Sequence, residues 1–303
     1  MTATDTRPGS AAPARQPSGR RTASPRPRRF RRIGRHWHYA VLIGAVVVSV
    51  FPFYWMIVVA SNTNEVISQI PPRLIPGPNL LENATNAVAR VPFGGALLNS
   101  FVIAATTTVS TVVFATLAGF AFAKIQFRGR SALMAFVIAT MMVPLQQLGL
   151  IPLYILMSRF GWVSSLRAVI VPGLVTGFGV FWMRQVVATS VHDELLEAGR
   201  IDGCSTFGLF RNVVVPSVRP GAAVLALYTF LFAWNDFLWP LIVLQDESKH
   251  TIQIALRTLN DTYYVDYAMV MTGTLLSVLP LIVVFVLLSR QMVAGLMEGA
   301  VKG

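Results

Sequence analysis

Cysteine is nearly missing from this chain: Cys204 stands alone among 303 residues. That excludes an intramolecular disulfide and any cysteine-based zinc site, so nothing in the sequence calls for an oxidising compartment. Charge is also scarce. Asp, Glu, Lys and Arg make up 13% of the residues, about half the usual share of a soluble domain. The histidines, His36, His38, His192 and His250, are scattered, and no H-E-x-x-H occurs. There is no G-x-x-x-x-G-K-[ST] either, so the usual loop for cradling nucleotide phosphates is missing. No catalytic residues, metal site or cofactor of the chain's own are expected.

What fills the sequence instead is apolar. Hydrophobic residues make up 54%, and the mean hydropathy is +0.60. One soluble core cannot hide that much apolar surface, whereas lipid can solvate the outer faces of membrane helices. A helix needs about 20 apolar residues to cross about 30 Å of hydrocarbon. Runs near that length fall at about 39–60, 97–123, 131–153, 166–182, 221–244 and 268–289. The expected fold class is therefore all-α and polytopic, with six transmembrane helices. Pro52, Pro144 and Pro280, with Gly173, Gly177 and Gly179, predict kinked and closely packed spans. Thr106, Thr107, Thr108 and Thr111 are expected to serve helix–helix packing.

The net charge of +12 invites a nucleic-acid reading. Its distribution argues against one. Ten arginines lie in residues 1–37 against the single acid Asp5, and the remaining chain is nearly balanced. This stretch is rich in Pro, Ser and Ala, so it reads as a disordered cytoplasmic tail. The body of the protein is then 38–303. With the N-terminus inside, 19 of the 25 basic residues fall on cytoplasmic segments, including Lys124, Arg128, Arg130, Arg184, Arg200, Arg211 and Arg219. Both termini should face the cytoplasm, where anionic inner-leaflet lipid also attracts the tail.

The polar stretch 190–220 is too hydrophilic to cross a membrane. Ser190 with Asp193 resembles a capping box, predicting a helix start at Ser190. Asp193, Glu194 and Glu197 follow where carboxylates complement the helix dipole. Gly203 is placed to end the helix in a left-handed conformation. Ser205 or Thr206 is placed to cap a second helix leading to Pro216. A short helix, a turn and another helix form a rigid element able to dock into a partner's groove.

This stretch resembles the loop signature E-A-A-x3-G-x9-I-x-L-P of bacterial ATP-binding-cassette importer permeases. Glu197, Ala198, Gly203 and Pro216 match it, with Val213 and Val215 standing for Ile and Leu and Gly199 for the second Ala. The neighbouring Asp202 also looks like the family. Thr229–Leu241, Asn99-Ser100 and the terminal Gly299–Gly303 resemble the smaller permease of maltose-type, carbohydrate importers. The resemblance covers about 38–303. It implies that Glu197 pairs with a basic residue of a separate ATPase and that Gly203 makes the turn. It also implies that Gly299, Val301, Lys302 and Gly303 reach the ATPase dimer. The implied partners are a second homologous permease, an ATP-hydrolysing dimer, an extracytoplasmic solute-binding protein and the bilayer, with ATP used by the partner. The implied solute is a sugar or oligosaccharide.

Asp236 is the only carboxylate well inside an expected span, so it should face water or a partner. Trp234, Asn235 and Trp239 surround it, and two readings stand. Aromatic faces and amide or carboxylate groups suit a polyol; equally, the indoles suit packing or an interfacial belt. Gln146 and Gln147 are further candidates for lining the path. The alternatives to sugar import are an ion-coupled secondary transporter, for which one Asp is thin support, and an importer of a polyol or glycerol-phosphate compound.

Overall fold

The computed structural model describes residues 34–143, 148–260 and 265–300. All regular structure among them is helical. In chain order the helices are α1 (Gly34–Ala60), α2 (Asn64–Ile67), α3 (Leu80–Arg90), α4 (Phe93–Lys124), α5 (Arg130–Met142), α6 (Leu150–Arg159) and α7 (Arg167–Ile170). Then follow α8 (Gly177–Ser190), α9 (Asp193–Ile201), α10 (Thr206–Leu209), α11 (Val215–Asn235), α12 (Leu238–Val243), α13 (Ile252–Thr258) and α14 (Tyr267–Ala300).

Among the described residues, four helical stretches are long and apolar enough to cross a membrane: Trp37–Ala60, Phe93–Lys124, Thr206–Asn235 and Tyr267–Ser289. A fifth forms if the bent pair Arg167–Gly173 and Gly177–Ser190 counts as one span. Three of the expected runs are divided differently from the sequence reading. The run 131–153 becomes α5 and α6. Val143 leaves α5 with extended backbone, the conformation demanded of a residue that precedes proline. The run 166–182 bends by 40° and its second arm continues to Ser190, because Met183 and Val187 stay buried on one face. The run 221–244 starts much earlier, at Thr206, and ends at Asn235. A π-helical turn at Phe210–Val214 joins α10 to α11, just where Pro216 cannot donate a backbone N–H.

α4 is the helix on which α8 and α11 assemble. Ala96, Ser100, Ala104, Thr107, Thr111, Ala115 and Gly119 recur every three or four residues along it, and all are buried. Such a stripe of small side chains lets neighbouring backbones approach. α8 and α11 make the most extensive contacts with it. Beside Gly119, an added Cβ would stand 2.7 Å from the Met183 carbonyl carbon. α14 packs on α11 and α3.

The apolar core falls into three clusters, and α4 contributes to each. Phe93 meets Trp234 and Ile252 in one, Phe120 meets Met183 and Leu196 in the second, and Ile103 meets Trp239 and Val243 in the third. Outward-facing residues remain apolar, for example Val109, Val113 and Phe114 on α4 and Ile282, Val283 and Val286 on α14. An apolar outer surface over a tightly packed interior is what a lipid solvent permits.

Candidate functional site

The 190–220 segment is built from short-range interactions. α8 runs through Ser190, so Ser190 does not cap the next helix as the sequence predicted. α9 begins at Asp193 behind His192, whose side chain makes no capping bond. The N-terminus of α9 is anchored from outside instead. Lys124 Nζ, at the end of α4, donates to Asp193 Oδ1 at 2.7 Å. That hydrogen bond and the Lys124 charge hold the Asp193 carboxyl below the usual carboxylate range. The Lys124 side chain is only 11% exposed, so the contact joins a mostly buried lysine to an accessible carboxylate. Sequence reasoning read Lys124 only as a marker of orientation; its partner lies 69 residues away.

The far end of α9 closes as the sequence predicted. Gly203 has φ +81°, a conformation costly for any residue with a Cβ. Cys204 N donates to Gly199 O at 2.9 Å and Gly203 N to Arg200 O at 3.0 Å, the paired bonds of a Schellman cap. Ser205 Oγ then accepts from Gly208 N at 3.1 Å and caps α10. Gly199 allows a close contact: a Cβ there would lie 2.5 Å from Leu209 Cδ2. Leu196 and Leu209 are buried against Phe120, Val187 and Val191, which ties the segment to α4 and α8. The opposite side is open. Leu195, Glu197, Ala198, Ile201, Asp202 and Phe207 are exposed, Ile201 by 86% and Phe207 by 68%. An uncovered apolar face rimmed by Glu197 and Asp202 is shaped to meet another surface.

The second candidate group lies at the break after α11. Asp236 has extended backbone at φ −66°, ψ 123° and is the residue after the helix. It therefore sits in a helix interruption rather than well inside a continuous span, which corrects the sequence reading. Pro240 sits in the first turn of α12, where its missing N–H is tolerated. Asn235 is exposed and returns its amide to Leu231 O at 2.8 Å. Trp234 and Trp239 are buried, which fits the packing reading of both indoles. Trp239 Nε1 donates to Ala168 O at 3.0 Å, whereas the buried Trp234 Nε1 has no acceptor among the described residues. Gln253, on α13, donates to Trp234 O at 3.3 Å and was not singled out from sequence.

Gln146 and Gln147 lie outside the described residues, as do Val301, Lys302, Gly303 and the arginine tail through residue 33. Gly299 belongs to α14. Asn99 and Ser100 acquire a definite role. Asn99 Nδ2 donates to Ser248 O at 2.9 Å and His250 O at 3.1 Å, and Ser100 Oγ accepts from Ile252 N at 2.8 Å. No cluster of three or more His, Cys, Asp or Glu able to hold a metal occurs among the described residues.

Known proteins share this design. Residues 111–295 match the family described as binding-protein-dependent transport system inner membrane component. The lactose transport system permease protein LacG of Rhizobium radiobacter is 34% identical over 264 residues, covering 87% of this chain and 95% of LacG. The arabinooligosaccharides transport system permease protein AraQ of Bacillus subtilis (strain 168) is 35% identical over 205 residues, covering 68% and 72%. The sn-glycerol-3-phosphate transport system permease protein UgpE of Yersinia pestis is 30% identical over 269 residues, covering 86% and 95%. In fold, the chain is similar to a bacterial ABC transporter involved in the import of the acidic polysaccharide alginate. The TM-score is 0.74 at 20% identity, and the match covers 88% of this chain and 99% of that one. A matching family, an all-helical body with several membrane-length helices, and a self-contained polar segment lead to one conclusion: this chain belongs to the binding-protein-dependent transport system inner membrane components.

Proposed function

We propose that the chain is one permease subunit of an ATP-binding-cassette importer for a sugar or oligosaccharide. It forms half of the transmembrane path beside a second, homologous permease. A separate ATPase dimer supplies the energy, and an extracytoplasmic binding protein delivers the solute. The chain hydrolyses no ATP itself and needs no cofactor. Six spans cross the membrane, counting α5 with α6 and α7 with α8 as one each, and both termini face the cytoplasm.

The observation that carries this reading is the geometry of α9. A short helix closed locally at its C-terminus, tied at its N-terminus by Lys124 and bare on one face, suits insertion into a cleft of the ATPase. Glu197 on the bare rim is the residue that pairs with a basic group there. Gly203 fixes the turn that presents the helix, and Pro216 marks where the chain enters the membrane. The C-terminal Gly299–Gly303 reaches toward the ATPase dimer. ATP-driven closure of that dimer moves α9 and switches the path between inward- and outward-facing states. The free-energy difference between those states comes from nucleotide at the partner. Asn235 and Asp236 are the residues of this chain best placed to meet solute, because they lie at a helix break with Asn235 exposed and Asp236 half-buried. Membership of the transport family sets ion-coupled carriage aside.

Two of the relatives support the solute class: a lactose and an arabinooligosaccharides permease. The similarity to a glycerol-3-phosphate permease favours a polyol phosphate as the second reading. The test is purification of the tagged chain from its host in mild detergent, with mass spectrometry of what accompanies it. A second permease and an ATPase should co-purify, and Glu197→Ala should strip the ATPase while leaving the permease pair. A chain that emerges alone under several mild conditions overturns the importer reading.

A further inference from the structure

α4 is one unbroken helix of 32 residues, about 48 Å long at 1.5 Å per residue. Three other apolar segments are interrupted. α5 and α6 are separate, the α7–α8 pair bends by 40°, and α11 stops before α12 at Asp236. A continuous i→i−4 ladder carries a displacement from end to end, whereas a break absorbs it.

Polar joints sit along α4 at three heights. At one end is the 2.7 Å contact of Lys124 with Asp193, the first residue of α9. Midway, Ser110 Oγ donates to Leu174 O at 3.1 Å and Thr111 Oγ1 to Gly173 O at 3.2 Å. Those carbonyls lie where the bent pair breaks. At the other end, Asn99 and Ser100 make three bonds to the backbone of residues 248–252. Bonds to backbone atoms fix the path of that connector whatever side chains it carries.

We propose that α4 is the strut that links movement of α9 to the 248–252 connector, with Lys124 as its inner joint and Asn99–Ser100 as its outer joint. The proposal rests on the reading that a partner ATPase drives α9. Lys124, Asn99 and Ser100 are positioning residues: they touch no solute and act through the segments they hold. When α9 shifts, Lys124 pulls the end of α4, and the far end carries the connector with it. Spatial intermediacy alone does not establish coupling, so the test reads the far end directly.

In the full complex, with Cys204→Ser as background, Lys249→Cys places one thiol on the exposed side of the connector. Its labelling rate with a membrane-impermeant maleimide is measured with and without ATP plus vanadate. The rate should depend on nucleotide, and Lys124→Glu should remove about fivefold of that dependence, the lower range of allosteric coupling. The swap Lys124→Glu with Asp193→Lys should restore it, and Lys124→Arg should keep it. Asn99→Ala should abolish it while ATPase retention stays unchanged. Combining Asn99→Ala with Lys124→Glu should add nothing, as two joints of one strut require. If the unsubstituted chain recruits no ATPase, the importer reading falls and the strut with it. If the complex assembles and hydrolyses ATP, but labelling ignores nucleotide or Asn99→Ala keeps the full response, the strut alone is overturned. Should Lys124→Glu fail to assemble, Asn99→Ala decides.

Discussion

Helix α9 and the turn at Asp236 both interrupt long apolar runs, yet their polar groups are satisfied over different ranges. Around α9 the closing bonds span few residues: Gly203 to Arg200, Cys204 to Gly199 and Gly208 to Ser205. Around Asp236 Asn235 bonds locally to Leu231, but other bonds reach further, from Trp239 to Ala168 and from Gln253 to Trp234, and Trp234 Nε1 has no partner among the described residues. A segment that satisfies itself can move as a rigid body without exposing unpaired backbone. A turn held by distant elements is fixed by the body around it. The first arrangement suits a part that is pushed, the second a part set by what packs on it.

The largest effects should separate the two faces of α9. Leu196 is 4% exposed, and Leu196→Ala should cost about 2–5 kcal/mol by opening a cavity, read as a lower thermal midpoint in detergent. Ile201 is 86% exposed, so Ile201→Ser should change stability by less than about 0.5 kcal/mol while weakening ATPase retention. Equal losses of stability from both substitutions would mean that the chain itself covers the outer face.

At the turn the two tryptophans should differ. Trp239→Phe strands the Ala168 carbonyl and should cost about 1–3 kcal/mol. Trp234→Phe removes an N–H with no partner among the described residues, so only the lost volume counts and the cost should be smaller than at Trp239. The reverse order of midpoints would show that Trp234 Nε1 finds an acceptor in the assembled protein.

Close approaches at glycine sharpen the contrast further. At Gly119 a Cβ would meet Met183 and Arg184 backbone at 2.7 and 2.8 Å, which cannot yield, so Gly119→Ala should cost about 1–3 kcal/mol. At Gly199 the obstacle is the tip of Leu209, which can turn aside. Alanine also gains up to about 1 kcal/mol of helix propensity, so Gly199→Ala should leave the midpoint nearly unchanged. A large loss there would mark Leu209 as immovable.

The same difference in range explains what could be read in the sequence. Gly203 and Ser205 announce a turn and a cap because their partners are a few residues away. The all-helical class was legible from apolar run length, since about 20 residues are needed to cross a bilayer. Span limits were less so. Met183–Ser190 looks like loop by polarity, but burial of Met183 and Val187 against α4 keeps it helical. Asp236 looked like a charge within a span because its neighbours are apolar; its extended backbone comes with the break between α11 and α12. Lys124 and Asn99 gave no local sign of their partners, which lie 69 and about 150 residues away.

The smallest effect tests the Lys124–Asp193 tie of α9. Asp193 titrates below the usual carboxylate range because Lys124 donates to it and bears the opposite charge. A depressed folded-state pKa means that the ionised form contributes stability above the unfolded pKa and loses it as pH falls through the folded value. The difference in thermal midpoint between the unsubstituted chain and Asp193→Asn should therefore be constant from neutrality to about pH 4. It should close only at lower pH. Asp246, also lowered by its hydrogen bonds from Ser248, is present in both proteins and cancels. Exposed ion pairs are weak and salt-screened, so the difference should be small and should shrink with added salt. A difference that vanishes well above pH 4 would place the titration on another group, and α9 would then be anchored through Leu196 and Leu209 alone.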